Sequence, residues 1–333
     1  MTYRFVRLSF VILLGLTALQ VNSSESASAN QLKALAHFEN VSDRHRKQIE
    51  KREKEAQTLW QKQNTDRLRY SVSYANNLSS RITEDFHSDT IRIETLVNQP
   101  NADEQHKRAV EQQLEKVTTA NSKVNDIEKA PKVISKTTGQ SMETLIEVGS
   151  HYTDQRALSY IDQIKASSKT WKVPPSLVMA IIYQESRFNP KAQSKAPAYG
   201  LMQIMEKSAA ADVSNSYLKK QKITVSTLFN PGYNIEIGAA YLSILTDKYL
   251  KNVESEHSRL LLSIAAYNAG VGSVAKHFTG TTSLTQLSEA ANKMEFVDIY
   301  KSLTTAFPFK ETREYVKVVV DKEHYYQQLL KRY

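Results

Sequence analysis

The sequence predicts two structural parts: a small α+β domain, an antiparallel meander plus helices, followed by a larger, mostly α domain. Three observations predict this. Apolar residues alternate with polar ones at Leu68, Tyr70, Val72 and Tyr74, and again at Ile91, Ile93, Thr95 and Val97, which is the period of half-buried strands. From Leu158 onward helical spacing takes over. One run, Leu177 to Tyr183, is apolar on every side, as expected of a helix enclosed by a core, and Leu260 to Ala266 reads as a further buried helix. Between the parts, the stretch from Ala130-Pro131 to Gly149 contains the polar Thr137-Thr-Gly-Gln-Ser141 and reads as a join.

The chain has 333 residues, 41% hydrophobic and 24% charged, ordinary values for globular domains. Arg4 and Arg7 precede an apolar core from Leu8 to Leu19 that is too short to span a bilayer comfortably, and Ala27-Ser-Ala29 offers small residues for cleavage. Residues 1–29 are therefore expected to be a secretory signal peptide, with a retained anchor helix as the rival. After cleavage no stable membrane anchor is expected, and the protein is expected in the periplasm. There is no cysteine, which excludes disulfides, zinc-thiolate sites, a thiol nucleophile and a lipoprotein anchor. No metal and no other cofactor is expected. The net charge of +9 favours an anionic partner without choosing one. Export argues against nucleic acid.

In the first part, Phe38 to Gln63 is dense in charge and free of glycine and proline, predicting a long, largely solvated helix. Its basic run, Arg44-His-Arg-Lys47, reads as a solvated face, with wall or membrane-surface contact as the alternative. Asn76-Asn77 and His87-Ser-Asp89 can turn the chain between three strands. A helix from about Ala102 to Ala120 would cover the sheet with Ala109, Val110, Leu114 and Val117. His87 and His106 read as surface or turn residues. The resulting boundaries are 30–130 for an accessory α+β domain, 131–150 for a linker and 151–333 for the α domain.

In the second part, Val173-Pro-Pro175 ends one helix and a proline suits the first turn of the next. Glu185 follows Leu177 and Ile181 on one helical face, and Asn189-Pro190 stops the helix just after it. A carboxylate at the C-terminal end of a buried helix meets the negative end of the helix dipole and apolar surroundings, and both raise its pKa. That is what a general acid at neutral pH requires. The ordinary alternative is a glutamate paired at a helix end, with Arg187 as the partner at hand. A loop carrying Ser194 leads to Gly200-Leu-Met-Gln203, and Ala266-Tyr-Asn268 closes a later helix at Gly270.

Glu185-Ser186, Gly200-Leu-Met-Gln203 and Ala266-Tyr-Asn268, in that order, resemble the family 1 lytic transglycosylases, the soluble-lytic-transglycosylase-like group with a lysozyme-like fold. Asn234-Ile-x-x-Gly238-x-x-Tyr241-Leu and Thr312-Arg-Glu-Tyr315-Val316 resemble further motifs of that family. The first domain resembles, more weakly, the accessory domain of the murein transglycosylase C type, whose lipoprotein cysteine is missing here. The resemblance implies an enzyme acting on peptidoglycan glycan strands, with Glu185 as sole acid and base. Ser194, Met202, Gln203, Tyr267, Asn268 and Tyr315 would bind substrate. Bland readings stand beside these: a loop-turn serine, a core methionine, a core amide satisfied by backbone, a core tyrosine. No second carboxylate sits in the matched loop, whereas hydrolytic glycosidase schemes need two. The resemblance therefore implies cleavage between N-acetylmuramic acid and N-acetylglucosamine with a 1,6-anhydro product. The rivals are a goose-type-lysozyme-like hydrolase and a non-catalytic wall-binding module.

Overall fold

The computed structural model describes residues 51–333 except 53, 57, 61–65, 76, 122–130, 150 and 219–221. The leader read over residues 1–29, the basic run at 44–47 and most of the first long helix lie outside the described residues. Where residues 51–59 are described, they are helical.

The alternating segments form strands β1 (Tyr70–Tyr74), β2 (Ser80–Asp85) and β3 (Thr90–Leu96), and helix α1 (Ala102–Asn121) crosses the sheet. Two further strands, β4 (Lys132–Thr138) and β5 (Ser141–Glu147), complete an antiparallel sheet of five strands in the order β1-β2-β3-β5-β4. This corrects the linker expected at 131–150. The polar Thr137-to-Ser141 stretch is a hairpin turn, not a spacer, and β5 pairs with β3 so that Ile91 faces Ile146. The period that reveals β5 is Met142, Thr144, Ile146, with Thr144 and Ile146 buried.

The small core of this domain is Ile91, Ile93, Val117, Ile146 and Val148, covered by Ala109, Val110 and Leu114 of α1. Each large aliphatic side chain buried there contributes about 1.5–3 kcal/mol. His106 bridges helix and sheet through Thr95 (3.0 Å) and Thr144 (2.8 Å). It is therefore a packing residue and not the surface residue its isolation suggests.

The second domain is helical: α2 (His151–Ser159), α3 (Ile161–Trp171), α4 (Pro175–Ser186), α5 (Ala209–Tyr217), α6 (Val225–Leu228), α7 (Pro231–Ser243), α8 (Glu256–Ala269), α9 (Val271–Thr279), α10 (Leu284–Ala291), α11 (Phe296–Lys301) and α12 (Lys310–Leu330). A two-stranded ribbon, β6 (Ala198–Tyr199) and β7 (Ile204–Met205), inserts after α4. Pro175 opens α4 in its first turn, and Leu177 through Ile182 are all buried, so this all-round apolar helix runs through the core. The ends follow local chemistry: Asn230 caps α7 by accepting the Tyr233 N–H, and Ser255 caps α8 by accepting the Ser258 N–H.

The two domains meet through polar groups. Arg156 of α2 donates to Asp89 (2.6 Å) and Glu84 (3.3 Å), and Thr153 donates to Asp89 (3.0 Å). Among the described residues no helix is long and apolar enough to cross a membrane.

Candidate active site

Glu185 lies in the last turn of α4. The chain then passes through two left-handed residues, Arg187 (φ 52°) and Phe188 (φ 65°), which end the helix and turn the backbone sharply. Arg187 is not the ion-pair partner of Glu185, since its guanidinium lies over the Tyr183 ring, 4.1 Å from the centroid. The hydrogen bond that Glu185 does receive comes from the far end of the chain: the Tyr315 hydroxyl of α12 donates to Oε1 at 2.7 Å. Glu185 keeps partial contact with solvent, yet burial of its carboxyl pushes its pKa up to about 7, opposed by the Tyr315 bond and reinforced by the negative charge of Glu311. The same surroundings raise the hydroxyls of Tyr267 and Tyr315 well above the usual tyrosine range, burial first and the Glu185 charge second.

The loop from Asn189 to Met205 is held by hydrogen bonds to its flanks. The Ser186 hydroxyl donates to the Leu201 carbonyl (2.7 Å). The fully buried Asn234 of α7 accepts the Met202 N–H (2.7 Å) and donates to the Tyr199 (2.8 Å) and Leu228 (2.7 Å) carbonyls. Gly200 has φ +74°, and a Cβ there would collide with the Leu228 carbonyl and the Asn234 amide. The motif glycine is therefore required both by backbone angle and by close approach.

The residues expected to bind substrate fall into two groups. Tyr315 touches Glu185 directly. Tyr267 donates to the Met202 carbonyl at 2.9 Å, tying α8 to the loop, and Asn268 accepts a hydrogen bond from Thr312 at 2.7 Å, tying α8 to α12. Gln203 donates through Nε2 to the Ala192 (3.1 Å) and Gly200 (2.9 Å) carbonyls, while its buried Oε1 has no protein partner. An unpartnered buried acceptor is costly, which makes this oxygen a natural receiver for a ligand O–H or N–H.

Two expectations differ from the structure. Met202 is 0% exposed and its thioether packs against Gly238 of α7, so it is a core side chain and does not line a sugar face. Met205 at the end of β7, which sequence reasoning passed over, is 37% exposed. The signal was the ribbon's alternation, readable only once the ribbon is known to exist. The Ser194 hydroxyl donates to the Ala196 carbonyl within its own loop, the geometry of a turn serine. Among the described residues, no group of three or more His, Asp or Glu side chains is arranged to hold a metal ion.

Residues 162–287 match the family model described as Transglycosylase SLT domain. A membrane-bound lytic murein transglycosylase C from Salmonella paratyphi B is 38% identical over 177 residues, covering 53% of this chain and 49% of that protein. Its counterpart from Edwardsiella ictaluri is 36% identical over 200 residues, covering 60% and 55%. The chain thus spans about half the length of the curated relatives it matches. The crystal structure of the 70 kDa soluble lytic transglycosylase from Escherichia coli is 32% identical, with a TM-score of 0.43, over 54% of this chain and 26% of that one.

Proposed function

We propose that this chain, which belongs to the transglycosylase SLT family through residues 162–287, is an exported peptidoglycan lytic transglycosylase with Glu185 as its single acid and base. The observation that carries the reading is the state of Glu185: half-buried at a helix end, with no ion pair among the described contacts and a pKa of about 7. A carboxyl of that kind is protonated and ionised in comparable measure at neutral pH, as a group that must give and then take a proton requires.

The steps follow from that placement. Tyr315 donates to Oε1, so the transferable proton rides on Oε2. That proton goes to the glycosidic oxygen between N-acetylmuramic acid and N-acetylglucosamine as the C1–O bond breaks. The electron-poor C1 is relieved by the substrate's own N-acetyl group. Glu185, now a carboxylate steadied by the Tyr315 hydroxyl, removes the proton from the C6 hydroxyl of the same sugar. O6 bonds to C1 and closes a 1,6-anhydro ring. Glu185 returns to its starting state and no water is consumed. The unpartnered Gln203 acceptor and the exposed face of Met205 supply a polar and an apolar contact for the sugar. Residues 1–29 act as the export signal and place the enzyme in the periplasm, where its substrate is.

The hydrolytic reading has one observation in its favour. Glu311, in the first turn of α12, is a carboxylate whose charge reaches Glu185, and it gives a water-activating scheme a candidate base. Mass spectrometry of products from purified murein sacculi separates the readings, with Glu185→Gln as control. Products one water lighter than hydrolysed muropeptides, absent with the variant, are the expected result. Fully hydrated reducing ends would replace it with the hydrolase. Binding without products from either protein would leave a wall-binding module.

A further inference from the structure

The Asn189 side chain is 0% exposed, yet it belongs to the loop that leaves the catalytic helix for the surface of the domain. Its Nδ2 donates to two carbonyls of the first domain, Arg67 (3.2 Å) and Leu68 (3.3 Å). Its Oδ1 accepts the Lys191 N–H at 3.0 Å. The carbonyls it meets are firmly held. Asp66 accepts the Leu68 and Arg69 N–H groups, and the Arg69 guanidinium is paired with Asp85 at 2.6 Å.

From Asn189 the connections run in both directions within the site. Its N–H donates to the Ser186 carbonyl (2.9 Å), next to Glu185, and its own carbonyl accepts the Ala192 N–H (3.2 Å). The Ala192 carbonyl in turn receives the Gly200 N–H (2.8 Å) and the Gln203 amide (3.1 Å). A second strut lies alongside, where Arg67 donates to the Gln193 side chain at 3.4 Å. The first domain therefore ends on the segment that joins Glu185 to Gln203.

We infer that the first domain sets the position of the catalytic loop, and that Asn189 is the positioning residue through which it acts. This rests on the transglycosylase reading for what the loop does, but not for how it is held. Fixing Asn189 against the first-domain backbone fixes where α4 ends, how tightly the Glu185 carboxyl is enclosed, and where the Gln203 oxygen points. A displacement of about 1 Å in such a constellation is enough to lower turnover up to about 100-fold.

The test uses the full chain carrying Asn189→Asp, which keeps the acceptor for Lys191 and turns the donor into a second acceptor facing two carbonyls. The expected result is a fall in kcat of about tenfold or more with KM changed less than about twofold. The alkaline limb of the pH–rate profile should move down as water reaches Glu185. Hydrogen exchange at the Ala192, Gly200 and Gln203 amides should speed up. Asp89→Asn, which weakens the Arg156 and Thr153 contacts without touching the loop, should move the same readouts in the same direction by less, about two- to fivefold in kcat. Unchanged kcat, profile and exchange in a folded Asn189→Asp protein would overturn the inference. If that variant does not fold, unchanged readouts in Asp89→Asn would overturn it. Should the wild-type protein show no turnover, the transglycosylase reading fails. Amide exchange then still decides the positioning role.

Discussion

Replacing Glu185 by glutamine should stabilise the protein, and do so only at neutral and alkaline pH. The carboxyl titrates at about 7 in the folded chain against 4.5 for an unperturbed glutamate. Each unit of difference is worth about 1.36 kcal/mol, so holding Glu185 ionised in the folded state costs about 3 kcal/mol, trimmed toward about 2 kcal/mol by its remaining contact with solvent. The folded pKa lies above the unfolded one, so stability from this group is complete below about 4.5 and is lost as pH rises through about 7. Glutamine does not ionise, and its carbonyl oxygen can accept the Tyr315 bond. Wild type and Glu185→Gln should therefore be nearly equal at pH 4.5, and the variant should be more stable by about 2–3 kcal/mol at pH 8. For a domain of this size that is on the order of 4–12 °C in Tm. Urea unfolding followed by the fluorescence of Trp171, which is buried in the same domain, measures it at both values. A variant no more stable than wild type at pH 8, or a gap that does not widen with pH, would refute the claim that burial raises this carboxyl.

Three further outcomes are expected. Tyr315→Phe removes the hydrogen bond that favours the ionised form of Glu185. The alkaline limb of the pH–rate profile should then move up while kcat falls about 10- to 100-fold; a limb that stays in place would exclude the contact from catalysis. Gly200→Ala forces a side chain into a left-handed backbone position already filled by the Leu228 carbonyl and Asn234. It should destabilise by about 3 kcal/mol or more, read as a lost or lowered unfolding midpoint. The two methionines should separate: Met202→Ala opens a core cavity and lowers stability by about 2–5 kcal/mol, whereas Met205→Ala leaves Tm in place and raises KM for glycan.

What the sequence determined by itself was local. The apolar run from Leu177 to Ile182 sets a buried helix, Pro175 starts it, and Glu185 is left in its last turn. Alternation fixed three strands and the spacing of Ala109, Val110, Leu114 and Val117 fixed the covering helix. These features follow from periods of two and 3.6 residues and from caps, which need only neighbouring residues. The tertiary structure decided everything that depends on which distant segments meet. It turned the polar join at 131–150 into two strands, because a sheet edge, not composition, chooses a partner for β5. It selected Met205 over Met202 at the surface, because Met202 lies in the turn packed onto Gly238 of α7 whereas Met205 ends β7 with its side chain outward. It brought Tyr315 to Glu185 across 130 residues of chain, and Asn189 to Arg67 across 122. Such contacts are fixed by packing of whole helices and domains, and no local pattern encodes them.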